Sequence, residues 1–522
     1  MSEFETLIGL LLVAVALAAA ARRVGAPYPA FLALGGAVLA FVPGMPAFTV
    51  EPELALALFV APVLLDAAYD TSPRDLKDNW APLVALVVVS VGLTTIAVAG
   101  VARALVPAMP WAAAIALGAI VAPPDAAAAT AVLRQLRPPH RILTILEGES
   151  LLNDASALLI YRLAVGAAAA NVFSLRAVAP TFLLAVAGSV VVGPALAWLY
   201  LRLTARVRDV PTAIILQFIG TFGVWSLADR IGLSGVLTMV CYAVTIARQA
   251  PARTPARLRV PSYAVWETVV FVVNVLAFVF IGLQIRPILA DLEPAARVQY
   301  LAVAGAVLVT VILVRIAWVM SYNTVVRWRI RRFGFHPPRP MLPPTVGGGL
   351  VVSWSGMRGI VTLAAALALP TDLGGAPFPF RGLIVFTAFA VVLGTLVVQG
   401  LTLRPLLRAL DLHDDDPVGQ EVARARERAL QAALAVLDGD TSPAVDTVRV
   451  ELVEHLKPPA ADREPIEAHQ SSHEEIHRRA LRAARDVVFE MRASADIGDD
   501  AFHQLEEEFD WIELGSGARE EP

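Results

Sequence analysis

Thirteen long apolar runs constrain this chain more than any other feature of its sequence. A helix that crosses a bilayer needs roughly 20 mostly apolar residues. Backbone polar groups in lipid must be satisfied within their own segment, so such runs predict helices. We therefore predict an all-α polytopic membrane protein with about 13 transmembrane helices. The runs lie near residues 6–24, 28–48, 52–70, 80–105, 111–134, 142–170, 176–204, 211–229, 233–248, 262–287, 299–322, 347–370 and 379–403.

Composition supports this class and argues against a soluble helical protein. Hydrophobic residues form 57% of the 522-residue chain and charged residues 17%, against roughly 45–50% and 25% in soluble domains. Soluble cores stop growing near ~250–300 residues, so one core could not hold this apolar excess. The net charge of −4 indicates no nucleic-acid partner. The single cysteine, Cys241, excludes an intramolecular disulfide.

Arginine and lysine are unevenly distributed between the predicted loops. Each loop after an odd-numbered helix carries two to five basic residues, such as Arg134, Arg137 and Arg141, whereas each loop after an even-numbered helix carries two at most. Cytoplasmic loops are enriched in Lys and Arg. The alternation predicts thirteen crossings of a bacterial inner membrane, with the N-terminus outside and the C-terminus in the cytoplasm.

The chain changes character near residue 411. Residues 1–410 contain all the apolar runs and are predicted to form the transmembrane domain, whereas residues 411–522 are rich in charge. We predict a soluble cytoplasmic tail with helices over Glu421–Leu437 and Glu474–Ala493 and a linker at Pro458–Pro465. The tail is either a solvated helical appendage, since polar helix faces are common, or an element of regulation or dimer contact.

Several charged residues lie within the apolar runs, where each charge costs at least ~2.5–3.5 kcal/mol. Helix 3 contains Asp66, helix 5 Asp125, helix 6 Glu149 and Asp154, and helix 12 Arg358. Charges kept at such a cost indicate a functional site. A structural role stays open for two of these residues. Asp66 could be solvated at a helix end, and Asp125 could only cap the second half of helix 5, as aspartate often does.

Predicted helices 5 and 12 are both interrupted within the membrane. Pro123 and Pro124 interrupt helix 5, because proline lacks a backbone donor and breaks the helical ladder. Ser355-Gly356 and Gly359 interrupt helix 12. The two helices are seven apart in order, as they are in two repeats made of helices 1–6 and 8–13. Matching interruptions indicate a transporter's binding site, where freed carbonyls and half-helix ends coordinate a cation.

The polar face of helix 6 predicts the chemistry of this site. Ser150 and Asp154 are four residues apart and share one face, and Asn153 lies beside Asp154, turned by about 100°. Oxygen ligands suit a hard alkali cation, as they suit other hard ions. A carboxylate that binds either the cation or a proton, never both, couples the two fluxes.

Three charged residues in the apolar runs, Glu149, Arg358 and Arg315, are interpreted as structural. Glu149 is five residues from Asp154 and faces another direction, so we expect it to pair with Arg358 beside the broken helix 12. Arg315 is predicted to lie toward the cytoplasmic end of its helix, where a long side chain reaches water or pairs locally.

The segment Leu146-Glu-Gly-Glu-Ser-Leu-Leu-Asn-Asp154 resembles the helix 6 signature of sodium/proton exchangers of the bacterial NhaP and animal NHE type. Weaker similarities extend the resemblance over helices 3 to 13, at Ser234-Gly-Val-Leu237, Trp266-Glu267 and Trp354-Ser-Gly-Met-Arg-Gly359. The resemblance implies two inverted six-helix repeats with crossed broken helices. It also implies core and dimerisation subdomains, and a homodimer that works by an elevator-like motion.

The resemblance further implies roles for single residues. Asp154 is similar to the family's ion-binding aspartate, Asp125 to the aspartate of its broken helix, and Ser150 to its hydroxyl ligand. Pro124 lies at a position that donates a backbone carbonyl, and Asn153 matches the asparagine of the electroneutral branch. Glu149 and Arg358 resemble the family's ion pair.

Two positions depart from the family pattern. The broken helix reads Pro124-Asp125-Ala126 instead of Thr-Asp-Pro, so a threonine hydroxyl is missing. Helix 3 reads Ala61-Pro-Val-Leu-Leu-Asp66 instead of Pro-Pro-Leu-Leu-Phe-Glu. The acid that the resemblance adds to the metal site, Asp66, is therefore shorter by one methylene.

These features predict a secondary transporter that exchanges sodium or lithium for protons electroneutrally at Asp154 and Asp125. We expect no cofactor and no nucleic acid; the partners are the cation, protons, membrane lipid and a second copy of the chain. A potassium/proton exchanger on the same scaffold is the nearest alternative. A cation channel fits the matched broken helices poorly. An intramembrane aspartyl protease needs paired aspartates, but no Gly-x-Gly-Asp accompanies Tyr69-Asp70.

Overall fold

The computed structural model describes residues 3–24, 27–43, 51–136, 138–170, 175–290, 296–337, 342–373, 376–412, 416–438, 443–455 and 470–515. These residues are almost entirely helical, apart from a small antiparallel pair of strands, β1 (Asp372–Leu373) and β2 (Ala376–Pro377). The predicted all-α class is confirmed. The predicted linker at Pro458–Pro465 lies outside the described residues.

The helices follow the chain in three stretches. The first stretch contains α1 (Glu3–Val24), α2 (Tyr28–Leu39), α3 (Pro52–Ala55), α4 (Ala61–Asp70), α5 (Pro73–Asp78), α6 (Trp80–Val84), α7 (Val91–Leu105), α8 (Trp111–Val121) and α9 (Ala126–Leu136). Short π-helical segments join α3 to α4 and α6 to α7, at Leu56–Val60 and Ala85–Ser90. The second stretch contains α10 (His140–Ala170), α11 (Leu175–Thr204), α12 (Val210–Arg230), α13 (Gly235–Arg253), α14 (Ala256–Leu283), α15 (Ile285–Ala290), α16 (Arg297–Phe333), α17 (Val346–Trp354), α18 (Ile360–Leu367) and α19 (Arg381–Leu410). The tail contains α20 (Pro417–Leu437), α21 (Pro443–His455), α22 (Gln470–Ala493) and α23 (Asp499–Gly515).

Each predicted apolar run overlaps one helix or consecutive helices, and residues 44–48 of the second run lie outside the described residues. Within the described residues, seven helical stretches are long and apolar enough to cross a membrane: Trp80–Leu105, His140–Ala168, Leu183–Thr204, Val210–Arg230, Ala256–Ala290, Arg297–Phe333 and Arg381–Leu410. Shorter apolar helices include α2 and α8. The chain is thus a multi-pass membrane protein, while the number of crossings and the repeat layout stay predictions.

The membrane helices pack in two groups. In one group α7 and α10 lie against α8, and α16 lies against α7, α17 and α19. In the other, α2 packs on α14, and α4 and α11 pack on α13. A Cβ at Gly36 or Gly282 would collide with the facing backbone, so glycine permits the close α2–α14 contact.

The tail is a helical subdomain with an apolar core of its own. Helices α20 and α22 pack together and contain the two predicted tail helices, whereas α21 and α23 were not predicted. Helix α23 also packs on α14 of the membrane part. There the Nε of Arg259 donates to Asp510 over 3.0 Å, and both side chains are buried. A purely solvated appendage is therefore the wrong interpretation of the tail.

Candidate ion-binding site

The two interrupted helices meet at their unwound segments. One break separates α8 from α9 and contains Pro124, and the other separates α17 from α18 and contains Gly359, as the sequence predicts. The backbone N–H of Asp125 donates a 2.7 Å hydrogen bond to the carbonyl oxygen of Met357. The two breaks therefore lie side by side.

Asp125 caps helix α9 with one carboxylate oxygen. Its Oδ1 accepts a hydrogen bond of 2.9 Å from the backbone N–H of Ala127. Its Oδ2 faces Gly359 so closely that a Cβ on this glycine would collide with it. A carboxylate has about four lone-pair sites, so capping leaves Asp125 able to accept a further ligand.

Helix α10 brings Asp154, Asn153 and Ser150 to the same region. Asp154 and Asn153 are buried, and Asp154 is close enough to Asp125 for the two carboxylates to interact electrostatically. The side-chain amide of Asn153 donates a 2.8 Å hydrogen bond to the carbonyl oxygen of Pro124. Ser150 lies one helical turn before Asp154. The structure thus joins helix 6 to the break in helix 5.

Asn153 contributes a feature that the sequence did not predict. Its Oδ1 is buried and has no hydrogen-bond partner among the described residues. Because the Pro124 oxygen can only accept, the amide nitrogen must face it, and this fixes the orientation of the side chain. A buried acceptor without a donor is costly, so Oδ1 is a candidate ligand for a cation.

Asp154 also lines a small cavity of about 10 Å³. This volume matches about one water-sized particle, and a dehydrated alkali ion is of similar size. The other walls come from α8, the break that follows it, α10 and α18, and they are mainly apolar: Ala119, Ile120, Pro123, Ala157, Leu158, Tyr161, Val361 and Ala365. An apolar surround strengthens the interaction of a carboxylate with any cation that enters.

The predicted pairing of Arg358 with Glu149 is wrong. Arg358 is 1% exposed, and its guanidinium donates to the carbonyl oxygens of Val121 and Ala122, at 2.9 and 3.0 Å, and of Gly356. The first two carbonyls lie at the C-terminal end of α8, where the helix dipole is negative. Arg358 therefore stabilises the break in helix 5 through backbone oxygens.

Glu149 instead pairs with Arg315. Two hydrogen bonds of 2.6 and 2.8 Å join the guanidinium to the carboxylate, and both side chains are at most 2% exposed. Arg315 also donates to the carbonyl oxygen of Val352 in α17. The prediction for Arg315 failed because α16 continues to Phe333. The prediction ended the helix before a cluster of basic residues, although α16 extends beyond them. Arg315 was therefore expected near the end of a helix whose middle it occupies.

Asp66 lies in a different place. It lines a cavity of about 670 Å³, with Tyr69, Tyr242 and Trp266 among its walls. Asp125 and Asp154 are not among the described residues that line this cavity. The structure therefore brings Pro124, Asp125 and Asp154 together, and Ser150 lies on the same helix as Asp154, whereas Asp66 lines a separate cavity.

Comparison with known proteins identifies the family. The family model for the transmembrane sodium/hydrogen exchanger matches residues 9–409. A sodium, potassium, lithium and rubidium/H(+) antiporter of Bacillus subtilis is 29% identical over 92% of this chain and 73% of its own length. The low-affinity Na(+)/H(+) antiporter NhaS1 of Synechocystis is 30% identical over 82% of this chain and 79% of its own.

A solved structure supports the fold. The sodium proton antiporter MjNhaP1 of Methanocaldococcus jannaschii aligns with a TM-score of 0.57 at 18% identity, over 78% of this chain and 99% of its own. The resemblance stated from the helix 6 motif is confirmed. The chain belongs to the sodium/hydrogen exchanger family and is a multi-pass membrane transporter.

Proposed function

We propose that this chain exchanges one sodium or lithium ion for one proton, with Asp154 and Asp125 as the shared carrier site. One observation carries the proposal. The two carboxylates lie together at the unwound segment, and among the described residues the nearby arginines are engaged elsewhere. Like charges in a confined site cannot both remain ionised without compensation. A proton or a metal cation supplies that compensation.

The surrounding oxygens suit an alkali cation. The backbone oxygen of Pro124, the Oδ1 of Asn153 and the hydroxyl of Ser150 would complete a shell begun by the carboxylates. Such neutral and anionic oxygens are the ligands of hard cations. The bond from Asn153 orients the Pro124 carbonyl, whose second lone pair stays available.

Charge balance favours electroneutral exchange. Arg315 neutralises Glu149 within a closed pair, and Asn153 is uncharged. In the part of the chain that the structure describes, Asp154 and Asp125 are then the carboxylates at the site that can exchange a proton for a cation. One proton released for one ion bound leaves the charge of the loaded carrier unchanged.

Potassium exchange is the second candidate. The Bacillus relative is named for four monovalent cations, and this chain lacks a threonine hydroxyl at Pro124.

For the assembly we propose a homodimer in the bacterial inner membrane, with the N-terminus outside and an elevator-like movement of a core subdomain. The distribution of basic residues between the predicted loops supports this orientation.

A vesicle experiment tests the proposal. Everted vesicles from a host without its own antiporters would be energised, and proton efflux would be followed after addition of NaCl, LiCl or KCl. We expect sodium and lithium to release protons at submaximal concentrations at which potassium does not. A membrane potential clamped by valinomycin should leave the rate unchanged. Equal responses to all three cations, or a rate that follows the potential, would contradict the proposal.

The contact between Gly359 and Asp125 gives a second test. Gly359→Ala places a methyl group against the Asp125 carboxylate, and overpacking of this kind costs about 1–3 kcal/mol. We expect the half-saturating sodium concentration to rise roughly 5- to 150-fold. Gly166→Ala is the matched control, because no atom lies within 4 Å of a Cβ there. An unchanged half-saturation in Gly359→Ala would rule out a role for this Asp125 oxygen.

A further inference from the structure

The tail is anchored to the membrane part by buried charge pairs. Arg259, in the first turn of α14, lies 3.0 Å from Glu506 and also pairs with Asp510, and all three side chains are at most 5% exposed. Arg492 of α22 pairs with Asp499 and donates to the carbonyl oxygen of Ala247 in α13. These contacts fix α22 and α23 against α13 and α14.

A second junction connects the tail to helix α10, which carries Asp154. Asp75 of α5, His140 at the first position of α10 and Asp500 of α23 converge there from three distant parts of the chain. The Nε2 of His140 lies 3.4 Å from Asp75, and its Nδ1 lies 3.5 Å from Asp500. One ligand atom from each of the three residues lies within 4.8 Å of the other two.

The separations are close to those of a metal centre. Metal–ligand bonds of roughly 2.0–2.2 Å in a tetrahedral site place neighbouring ligand atoms about 3.4 Å apart. The Asp75–His140 distance already has this value. Asp500 contacts the other ring nitrogen of His140, and a single ion binds only one of the two, so the Asp500 oxygen would have to move about 1.4 Å toward the Asp75 side to complete the set. Asp500 lies in the first turn of α23 and its side chain is 38% exposed, so a change of rotamer could move the oxygen.

The local charge favours a cation. Asp70 and Glu147 act electrostatically on Asp500 in addition to Asp75. Arg74 lies 3.2 Å from the Oδ1 of Asp75 and also donates two hydrogen bonds of 2.9 and 2.8 Å to Glu421, so the Oδ2 of Asp75 is the oxygen that faces His140. Arg141 and Arg492 donate to Asn79 and to Asp499. The three ligand residues keep between 14% and 38% of their side chains exposed, so an ion from the cytoplasm can reach them.

We propose that Asp75, His140 and Asp500 bind a divalent transition-metal ion and thereby fasten the tail to helix α10. One imidazole nitrogen with two carboxylate oxygens suits zinc, cobalt, nickel or manganese, whereas magnesium and calcium prefer oxygen alone. Three protein ligands leave a coordination position for water. The site is separate from the carrier carboxylates.

Bound metal would slow transport. The tail is anchored to α13 and α14, so an added bond to α10 restrains the helix that presents Asp154. This consequence rests on the proposed elevator-like exchange. Metal binding itself does not rest on that proposal, so it can be measured apart from transport.

Cobalt binding to the full-length protein tests the site. Purified protein in detergent, freed of metal with EDTA and dialysed, would be titrated with CoCl₂ while its visible absorption is recorded. We expect one saturable site, and at least about tenfold weaker binding in His140→Gln and in Asp500→Asn. The controls are His336→Gln and Asp438→Asn, which change an exposed histidine and an exposed aspartate. No binding to the native chain, or equal binding by all variants, would overturn the proposal.

Zinc inhibition tests the consequence in vesicles. We expect ZnCl₂ to slow sodium-driven proton movement in the native chain and much less in Asp500→Asn. Rates measured with EDTA report whether exchange occurs at all, so failure of the exchange proposal would be recognised separately. Equal zinc inhibition of the native chain and Asp500→Asn would contradict the fastening of the tail.

Discussion

Asp154→Asn is expected to abolish exchange. An amide can neither carry the proton nor supply the charge that holds the cation, and a unit charge pair at 4 Å is worth about 4 kcal/mol at an intermediate effective dielectric. That energy corresponds to roughly a thousandfold loss of cation affinity. Initial rates of sodium-driven proton movement, normalised to the amount of protein in the vesicles, would measure the loss.

Asp229→Asn is the matched control for this change. Asp229 is also a carboxylate on a membrane helix, but it is 46% exposed and lies 4.0 Å from Arg162. We expect its variant to exchange at the native rate. Full exchange by Asp154→Asn, with the protein inserted at normal levels, would remove Asp154 from the carrier site.

Breaking the Glu149–Arg315 pair is expected to have the second large effect. Arg315→Ala leaves a buried carboxylate without its partner, and such a change costs about 3–5 kcal/mol. Thermal unfolding of the purified protein should therefore occur at a clearly lower temperature, and less protein should reach the membrane. Glu149→Gln should act in the same direction, because it leaves a buried guanidinium uncompensated.

Two comparisons make this test specific. Arg162→Ala removes an exposed, distant pair and should leave stability unchanged, since surface pairs contribute ~0–1 kcal/mol. The double variant Glu149→Gln/Arg315→Met should be more stable than either single variant, because neither charge is then left alone. If Arg315→Ala unfolded at the same temperature as the native protein, the structural role assigned to the pair would be contradicted.

The fold could be predicted because membrane helices are encoded locally. About 20 apolar residues form a helix in lipid whatever their neighbours are, so the runs and the helices coincide. The two breaks could also be predicted from local sequence. Pro124 cannot continue the hydrogen-bond pattern of a helix, and the Gly356–Gly359 segment weakens it. Helical spacing placed Ser150 and Asp154 on one face with Asn153 beside them, whereas their roles as ligands came from the family resemblance and stay predictions.

The partner of Glu149 could not be obtained in this way. Arg315 is 166 residues away, and its contact with Glu149 depends on how α16 packs beside α10. The tail contact of Arg259 with Asp510 is similar, since 251 residues separate the two. Helical spacing predicts which residues share one face of a helix. It cannot predict which face of one helix packs against which face of another.

The site also depends on contacts that the family motif does not contain. Pro124 lacks the threonine hydroxyl, yet its carbonyl is oriented by Asn153. Asp66 lies in another cavity, so a shorter acid in helix 3 need not disturb Asp125 or Asp154. Both departures therefore become interpretable only from the packing of α8, α10 and α4.

Competition between sodium and protons tests the central claim most directly. Binding of radioactive sodium to the purified protein would be measured over a range of concentrations at several pH values. If Asp154 and Asp125 hold either ion, acidification should raise the apparent dissociation constant while the number of sites at saturation stays constant. A dissociation constant that does not change with pH would contradict the account.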